Sequence, residues 1–346
     1  MKITLRCVIP LVVLLFCLTP TVIKSQDSDL HFTQYGMSPI NLNPGLTGIF
    51  NGDIRYTGNY RSQWASVPVG YSTASFAYDQ KIYNAKLKNG LFGVGGIFNY
   101  DQAGASALRS LQLMLAGSYT QRISQRNFLT LGASAGVAQR AFKDGDLTWD
   151  EQYIGNQYNP NNPITESFAS KAKIYPDFGL GINWHFQVPN SKRTQFDLGA
   201  SLYHLHSPNT SFYDEQDVQI KPRLSIQLGS SFKILPKFDV IINANYYDQG
   251  ANNQTIAGGG LRYHFDDRIG REMALQVGGE YRFLFKDAWA PVVTFYYHQW
   301  KVGVSYDVNV SKFDRATRNQ GGLEVGIMYI VTKVKPLPVF KSCPIF

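Results

Sequence analysis

The stretch Phe178-Gly179-Leu180-Gly181-Ile182-Asn183-Trp184-His185-Phe186 decides the fold. Phe178, Leu180, Ile182, Trp184 and Phe186 are large and apolar, and the residues between them are Gly179, Gly181, Asn183 and His185. A period of two is the signature of a β-strand. One face is greasy throughout, and the other carries only glycine and polar groups. That division suits a wall with lipid on its outside and a polar lumen on its inside. A soluble β-sandwich also alternates, but its strands are usually about five or six residues long. A membrane barrel needs strands of about 9–11 residues.

The same texture continues on both sides. In Ser110–Tyr119, Leu111, Leu113 and Leu115 share a face opposite Ser110, Gln112 and Ser118. Leu224, Ile226, Leu228, Phe232 and Ile234 face away from Ser225, Gln227, Gly229 and Lys233. Trp300, Val302, Val304, Tyr306, Val308 and Val310 oppose Lys301, Gly303, Ser305, Asp307 and Asn309. The expected fold is all-β, an outer-membrane antiparallel β-barrel of about fourteen strands. The strands are placed at 53–61, 70–80, 91–100, 109–120, 128–141, 174–187, 194–206, 222–234, 237–248, 254–265, 272–285, 288–298, 299–310 and 321–334. An even number puts both termini on the periplasmic side. Connections after odd strands should then be the long, outer ones, as at 142–173, 207–221 and 311–320. Those after even strands should be tight, as at Leu235-Pro236 and Asp266–Arg271. Bulky inward residues such as Tyr203 and Tyr247 favour a filled lumen, since a barrel of this width must be filled or conduct.

Composition agrees. Charged residues are 17% and aromatics 14% of the 346 residues, with 21 Tyr and 22 Phe. Soluble domains carry more charge, and aromatic rings are at home at a membrane interface. The first 25 residues read as a separate object. Lys2 and Arg6 form a basic region, Val8–Leu18 an apolar one, and Ser25 is a small residue before Gln26. This is a secretory signal pattern with cleavage before Gln26. The apolar run is too short to span about 30 Å of hydrocarbon. Phe16 beside Cys17 argues against a lipoprotein signal. Removing Lys2, Arg6 and Lys24, with no acid, lowers the formal charge from +8 to +5, which weakens any nucleic-acid reading. Cys343 is then the single remaining cysteine, so no internal disulfide can form. The expected organisation is a signal peptide at 1–25, a periplasmic lead-in at 26–52 packed at the periplasmic rim or in the lumen, the barrel at 53–334 and a periplasmic tail at 335–346.

Residues that could carry chemistry are few. His204 and His206 would share one strand face, as a metal pair could, but no third ligand is identifiable. Rim histidines are the plainer reading. Asp266 and Asp267 read as turn formers. Glu280 and Arg282 should share the inward face of the eleventh strand in an ion pair or lumen network. No G-x-S-x-G, P-loop, CxxC or H-E-x-x-H occurs. His185, His264 and His298 could serve a hidden serine, but nothing selects among them. The expectation is no catalytic site, no cofactor and no metal.

Several separated motifs resemble a known family. Gln26–Gly48 contains Phe32-Thr33-Gln34-Tyr35, Pro39 and Leu42-Asn43-Pro44. Asn59-Tyr60-Arg61-Ser62-Gln63-Trp64 follows, then Tyr78-Asp79. Later come His206, Pro208, Asn209, Ser211-Phe212, Gly303, Tyr306-Asp307 and Gly321-Gly322 with Glu324. The ending Cys343-Pro344-Ile345-Phe346 has Ile345 where the family carries a basic residue. Together these resemble the PorP/SprF family of type IX secretion system membrane proteins. The resemblance implies an outer-membrane protein of Bacteroidota that works with the type IX secretion machinery. It implies a partner that is either a large secreted surface protein, such as a gliding adhesin, or a peptidoglycan-associated periplasmic protein. Outer-membrane lipid is the remaining partner, and nucleic acid is not expected. A diffusion or ligand channel is the alternative. The expected partner-binding residues are the aromatics of the two longest outer loops: Phe142, Trp149, Tyr153, Tyr158 and Phe168 in 142–173, with Phe212 and Tyr213 in 207–221. Trp64 reads equally well as a girdle anchor, and Pro208-Asn209 as turn chemistry.

Overall fold

The computed structural model describes residues 29–333 except 64–69, 84–86, 88, 105–106, 144–146, 156, 166–167, 190, 192, 214–217, 269, 284–287 and 311–319. The signal segment, its cleavage point, Trp64 and the Cys343 tail lie outside the described residues.

Alternation from end to end produces long strands: β1 (Ile54–Gln63), β2 (Tyr71–Ile82), β3 (Gly90–Ala103), β4 (Leu108–Ser124), β5 (Asn127–Ala141), β8 (Ala172–Gln187), β9 (Gln195–Tyr203), β10 (Arg223–Leu235), β11 (Phe238–Gln249), β12 (Asn252–Asp266), β13 (Met273–Arg282), β14 (Ala288–Tyr297), β15 (Trp300–Asn309) and β16 (Gln320–Val331). The two-residue strands β6 (Tyr153–Ile154) and β7 (Gln157–Tyr158) form a separate hairpin within a loop. The other fourteen close into a barrel, each antiparallel to its sequence neighbour, with β1 paired to β16 from Ile54↔Val331 to Gln63↔Gly322. Closure leaves no unpaired edge, which a lipid environment requires. The strand count and order match the sequence expectation. The main departure in length is β4, whose 17 residues run well past Thr120.

The two faces separate as the alternation demands. Leu113, Leu180, Leu228 and Val304 are exposed on the outer wall. Met114, Gln227 and Ser305 beside three of them, and Asn183 further along the strand of Leu180, are buried inside. Tight turns such as Gln125-Arg126, Pro236-Lys237 and His298-Gln299 join strands at one end, hereafter the short-turn end. The long connections 142–171 and 204–222 leave from the other, the long-loop end.

A strap fills the lumen. Residues 29–50 make a 3-10 turn at Tyr35–Met37, one helical turn at Pro39–Leu42 and another 3-10 turn at Pro44–Leu46. Phe32, Tyr35, Met37, Ile40 and Leu42 are all buried in it. Of the two placements expected for the lead-in, the periplasmic rim and the lumen, the described residues take the lumen. Asp29 meets Gln249, the last residue of β11, at the long-loop end. The chain then runs down the lumen to Phe50 and enters β1 at the short-turn end. The physical reason is the missing period: a segment too apolar for water and too irregular for a strand is buried where the wall can satisfy its backbone.

Candidate functional site

The wall meets the strap with small residues and polar groups. A Cβ at Gly132 would collide with the Pro44 carbonyl, and one at Gly181 with Asn43 Oδ1. These inward glycines therefore admit the tight approach of the Leu42-Asn43-Pro44 turn. Asn43 Nδ2 donates to the Ile182 and Ala200 carbonyls at 2.9 and 3.2 Å, while Asn43 Oδ1 accepts from the Gly45 amide at 2.7 Å. Ser201 Oγ donates to the Leu42 carbonyl at 2.8 Å.

In the long-loop half of the lumen, Glu324 accepts from two consecutive strap amides, Thr33 at 2.8 Å and Gln34 at 2.7 Å. Asp307 accepts from Thr33 Oγ1 at 2.9 Å and from the guanidiniums of Arg61 and Arg282, each at 2.5 Å. Arg61 also donates to the His31 carbonyl. Near the short-turn end, Asp79 accepts from the Gly48 amide at 2.7 Å and pairs with Arg55 at 2.7 Å. At the long-loop end, the Asp29 carboxylate lies 2.7 Å from Arg223 and 2.9 Å from His204 Nε2, and His204 Nδ1 lies 3.0 Å from Asp177. His204 is beyond the end of β9. Burial pulls its pKa down, but Asp29 and Asp177 outweigh that and raise it to about 9. Burial likewise pushes Asp29 up, and Arg223 and His204 win, holding it well below the usual carboxylate range.

These contacts change the reading of several residues. His204 adopts a positive φ of 55° and is buried, whereas His206 is exposed with its ring edge-on to Phe178. The pair does not share a face because β9 ends at Tyr203, three residues earlier than expected. Glu280 and Arg282 lie on β13 as expected, but Arg282 pairs with Asp307 of β15 and Glu280 Oε2 has no protein partner. Asp266 is held by Arg268 in a turn. His185 and His264 are each bonded to an aspartate, Asp197 at 2.8 Å and Asp239 at 2.6 Å. Among the described residues, no group of three or more His, Cys, Asp or Glu is placed to hold a metal. Arg61, Asp79, Asp307 and Glu324 stood in recognisable motifs, but sequence reasoning did not find their shared task of holding the strap.

The two longest loops meet above the barrel. Phe142 stacks edge-on with Phe168 and with Phe212, both at 4.7 Å. Phe168 also packs on Tyr213 at 4.9 Å and on Trp149 at 5.7 Å. The Phe212 carbonyl accepts from the amides of Ala169 and Ser170 at 3.0 and 3.2 Å, which ties one loop to the other. Tyr153 and Tyr158 pair at 5.3 Å across the β6–β7 hairpin, both about half exposed at 47%. The structure thus brings five of the expected aromatics into one cluster and leaves the tyrosine pair at the hairpin.

Fold and contacts define a class: a closed fourteen-strand membrane barrel whose own N-terminal strap fills the lumen beneath a joined pair of loops. The sequence profile of the type IX secretion system membrane protein PorP/SprF matches residues 24–329. The chain belongs to that family and is an outer-membrane barrel of the type IX secretion system. Comparison with curated proteins gives no match. Solved structures of similar shape include the TodX deltaS2S3 mutant monoaromatic hydrocarbon channel, at 9% identity and a TM-score of 0.45, over 84% of this chain and 93% of that one. A Pseudomonas aeruginosa FadL homologue aligns at 10% identity and a TM-score of 0.46, over 83% and 92%. The KdgM porin aligns at 10% identity and 0.35, over 80% and 98%.

Proposed function

We propose that this barrel anchors a large secreted protein at the cell surface, and that the long-loop end is its docking face. The observation that carries this reading is the cross-loop aromatic cluster of Phe142, Trp149, Phe168, Phe212 and Tyr213. Aromatic side chains are favoured interface anchors. A stable interface buries about 800 Å² on each side, more than hairpin tips can offer. The strap already occupies the lumen, so the loops are not needed as a plug. Trp149, Tyr153, Tyr158, Phe168, Phe212 and Tyr213 are the residues proposed to touch the partner.

The test removes residues 145–170 from a barrel that still inserts. Loss of one large surface protein, with other type IX cargo still exported, is the expected outcome. Unchanged display of every surface protein would refute the assignment. A periplasmic partner at the short-turn end is compatible with this reading and uses a different face. The channel alternative loses support because the strap crosses the lumen.

A further inference from the structure

Between the strap and the wall at the short-turn end lies a cavity of about 440 Å³, within the range of ligand pockets. Lys81, Leu91, Phe128, Gln187 and Gln195 stand around it at the short-turn ends of their strands. Deeper in, the strap contributes Tyr35, Leu42 and Leu46, and the wall contributes Gln227. Two of the charges along the cavity are paired with carboxylates. Arg55 is paired with Asp79 at 2.7 Å and His185 with Asp197 at 2.8 Å, and Lys81 donates to the Phe50 carbonyl. Beyond Lys81 at the short-turn rim, a charged ligand would find the lining charges already paired.

Gln227 is different. It is 3% exposed, yet neither its Oε1 nor its Nε2 has a protein partner. The buried Tyr35 hydroxyl is also unpartnered. A Cβ at Gly199 would collide with Gln227 Nε2, so glycine there leaves room for the carboxamide. A buried donor and acceptor on one planar group, left unmade, cost stability unless something pairs with them.

We infer that this cavity binds a neutral, extended peptide segment entering from the short-turn end, whose backbone amide pairs with the Gln227 carboxamide. A peptide group carries one donor and one acceptor, the complement of a carboxamide. Apolar side chains on the segment would meet Leu42, Leu46, Ile49 and Phe50. An acyl chain would leave Gln227 unmet. The inference is independent of the docking face, which lies at the opposite end of the barrel.

The experiment uses the full barrel in detergent micelles with Phe128→Trp as a fluorescent reporter. The probes are a pool of capped tetrapeptides of Ala, Leu, Val and Ser, with N-acetylchitobiose and decanoate as separate arms. A saturable fluorescence change with the peptides is expected. Gln227→Leu should weaken it about tenfold or more, and Tyr35→Phe several-fold, with the heat-modifiable gel shift of the folded barrel retained. Should Gln227→Leu fail to fold, Tyr35→Phe decides. No saturable response to any peptide would overturn the inference and leave a cavity for water alone. Saturation by the disaccharide or decanoate only, or peptide binding equal in both variants, would overturn it as well.

Discussion

Asp307 shows why single residues matter here. Its carboxylate neutralises Arg61 and Arg282 and also holds Thr33 of the strap. Asp307→Asn would take from Arg61 and Arg282 the buried carboxylate they share, leaving Arg61 with Glu324 at 3.7 Å. Breaking a buried pair in this way costs about 3–5 kcal/mol. The expected outcome is a lower midpoint of urea unfolding, with the strap becoming sensitive to protease before the barrel does. At the long-loop end the anchor responds to pH. The charged form of His204 contributes stability fully below its ordinary value of 6.5 and loses it as pH rises through about 9. Asp29 contributes above its ordinary value of 3.8 and loses that only in strong acid. Hydrogen exchange of residues 29–34 should therefore quicken, beyond the intrinsic rate, as pH is raised from about 6.5 to about 9. His204→Gln should abolish that pH dependence. An unchanged protection profile in the native protein would show that His204 does not hold the strap.

At the scale of elements, each strand presents one face to lipid and one to the strap. Leu228 sits at mid-strand on the outer face of β10, and Leu235 ends the same strand at the short-turn rim, also outward. Arginine on the lipid face costs roughly 2–4 kcal/mol at the bilayer midplane and about 0–1 near the interface. Leu228→Arg should therefore lower the stability of the barrel refolded into lipid vesicles by that larger amount, and Leu235→Arg by the smaller. Equal costs would mean that the depth assignment is wrong. Leu228 was legible in the sequence because a period of two assigns faces without reference to any neighbour, whereas Leu235 read as part of the turn and reaches the outer face through an irregularity in register after Lys233. The end of β9 was not legible. Leu202, Tyr203 and His204 continue the alternation, but His204 leaves the ladder with a positive φ to reach Asp29 and Asp177. A contact distant in sequence outweighs the local pattern there.

On the scale of the whole molecule, the strap governs whether the barrel conducts. Fourteen strands enclose a lumen wide enough to pass solutes if nothing fills it. Deleting residues 30–47 should convert a quiet barrel into one with large, stable single-channel conductance in planar bilayers. Deleting 145–170 should leave conductance low. If the loop deletion opened the pore and the strap deletion did not, the loops would be the plug.

Alternation alone determined the barrel, its strand number, its lipid face and the end from which the long loops leave. Each of those follows from local periodicity and chain connectivity. The family was likewise legible, in short motifs scattered from Phe32 to Glu324. What joined those motifs was decided only in three dimensions. Arg61, Asp79, Asp307 and Glu324 lie on four different strands, and each bonds to the strap, Asp79 and Glu324 through its backbone amides. No spacing along the chain encodes that convergence. It arises because closing the sheet brings distant strands around one axis, where a buried backbone must find its hydrogen bonds on the wall.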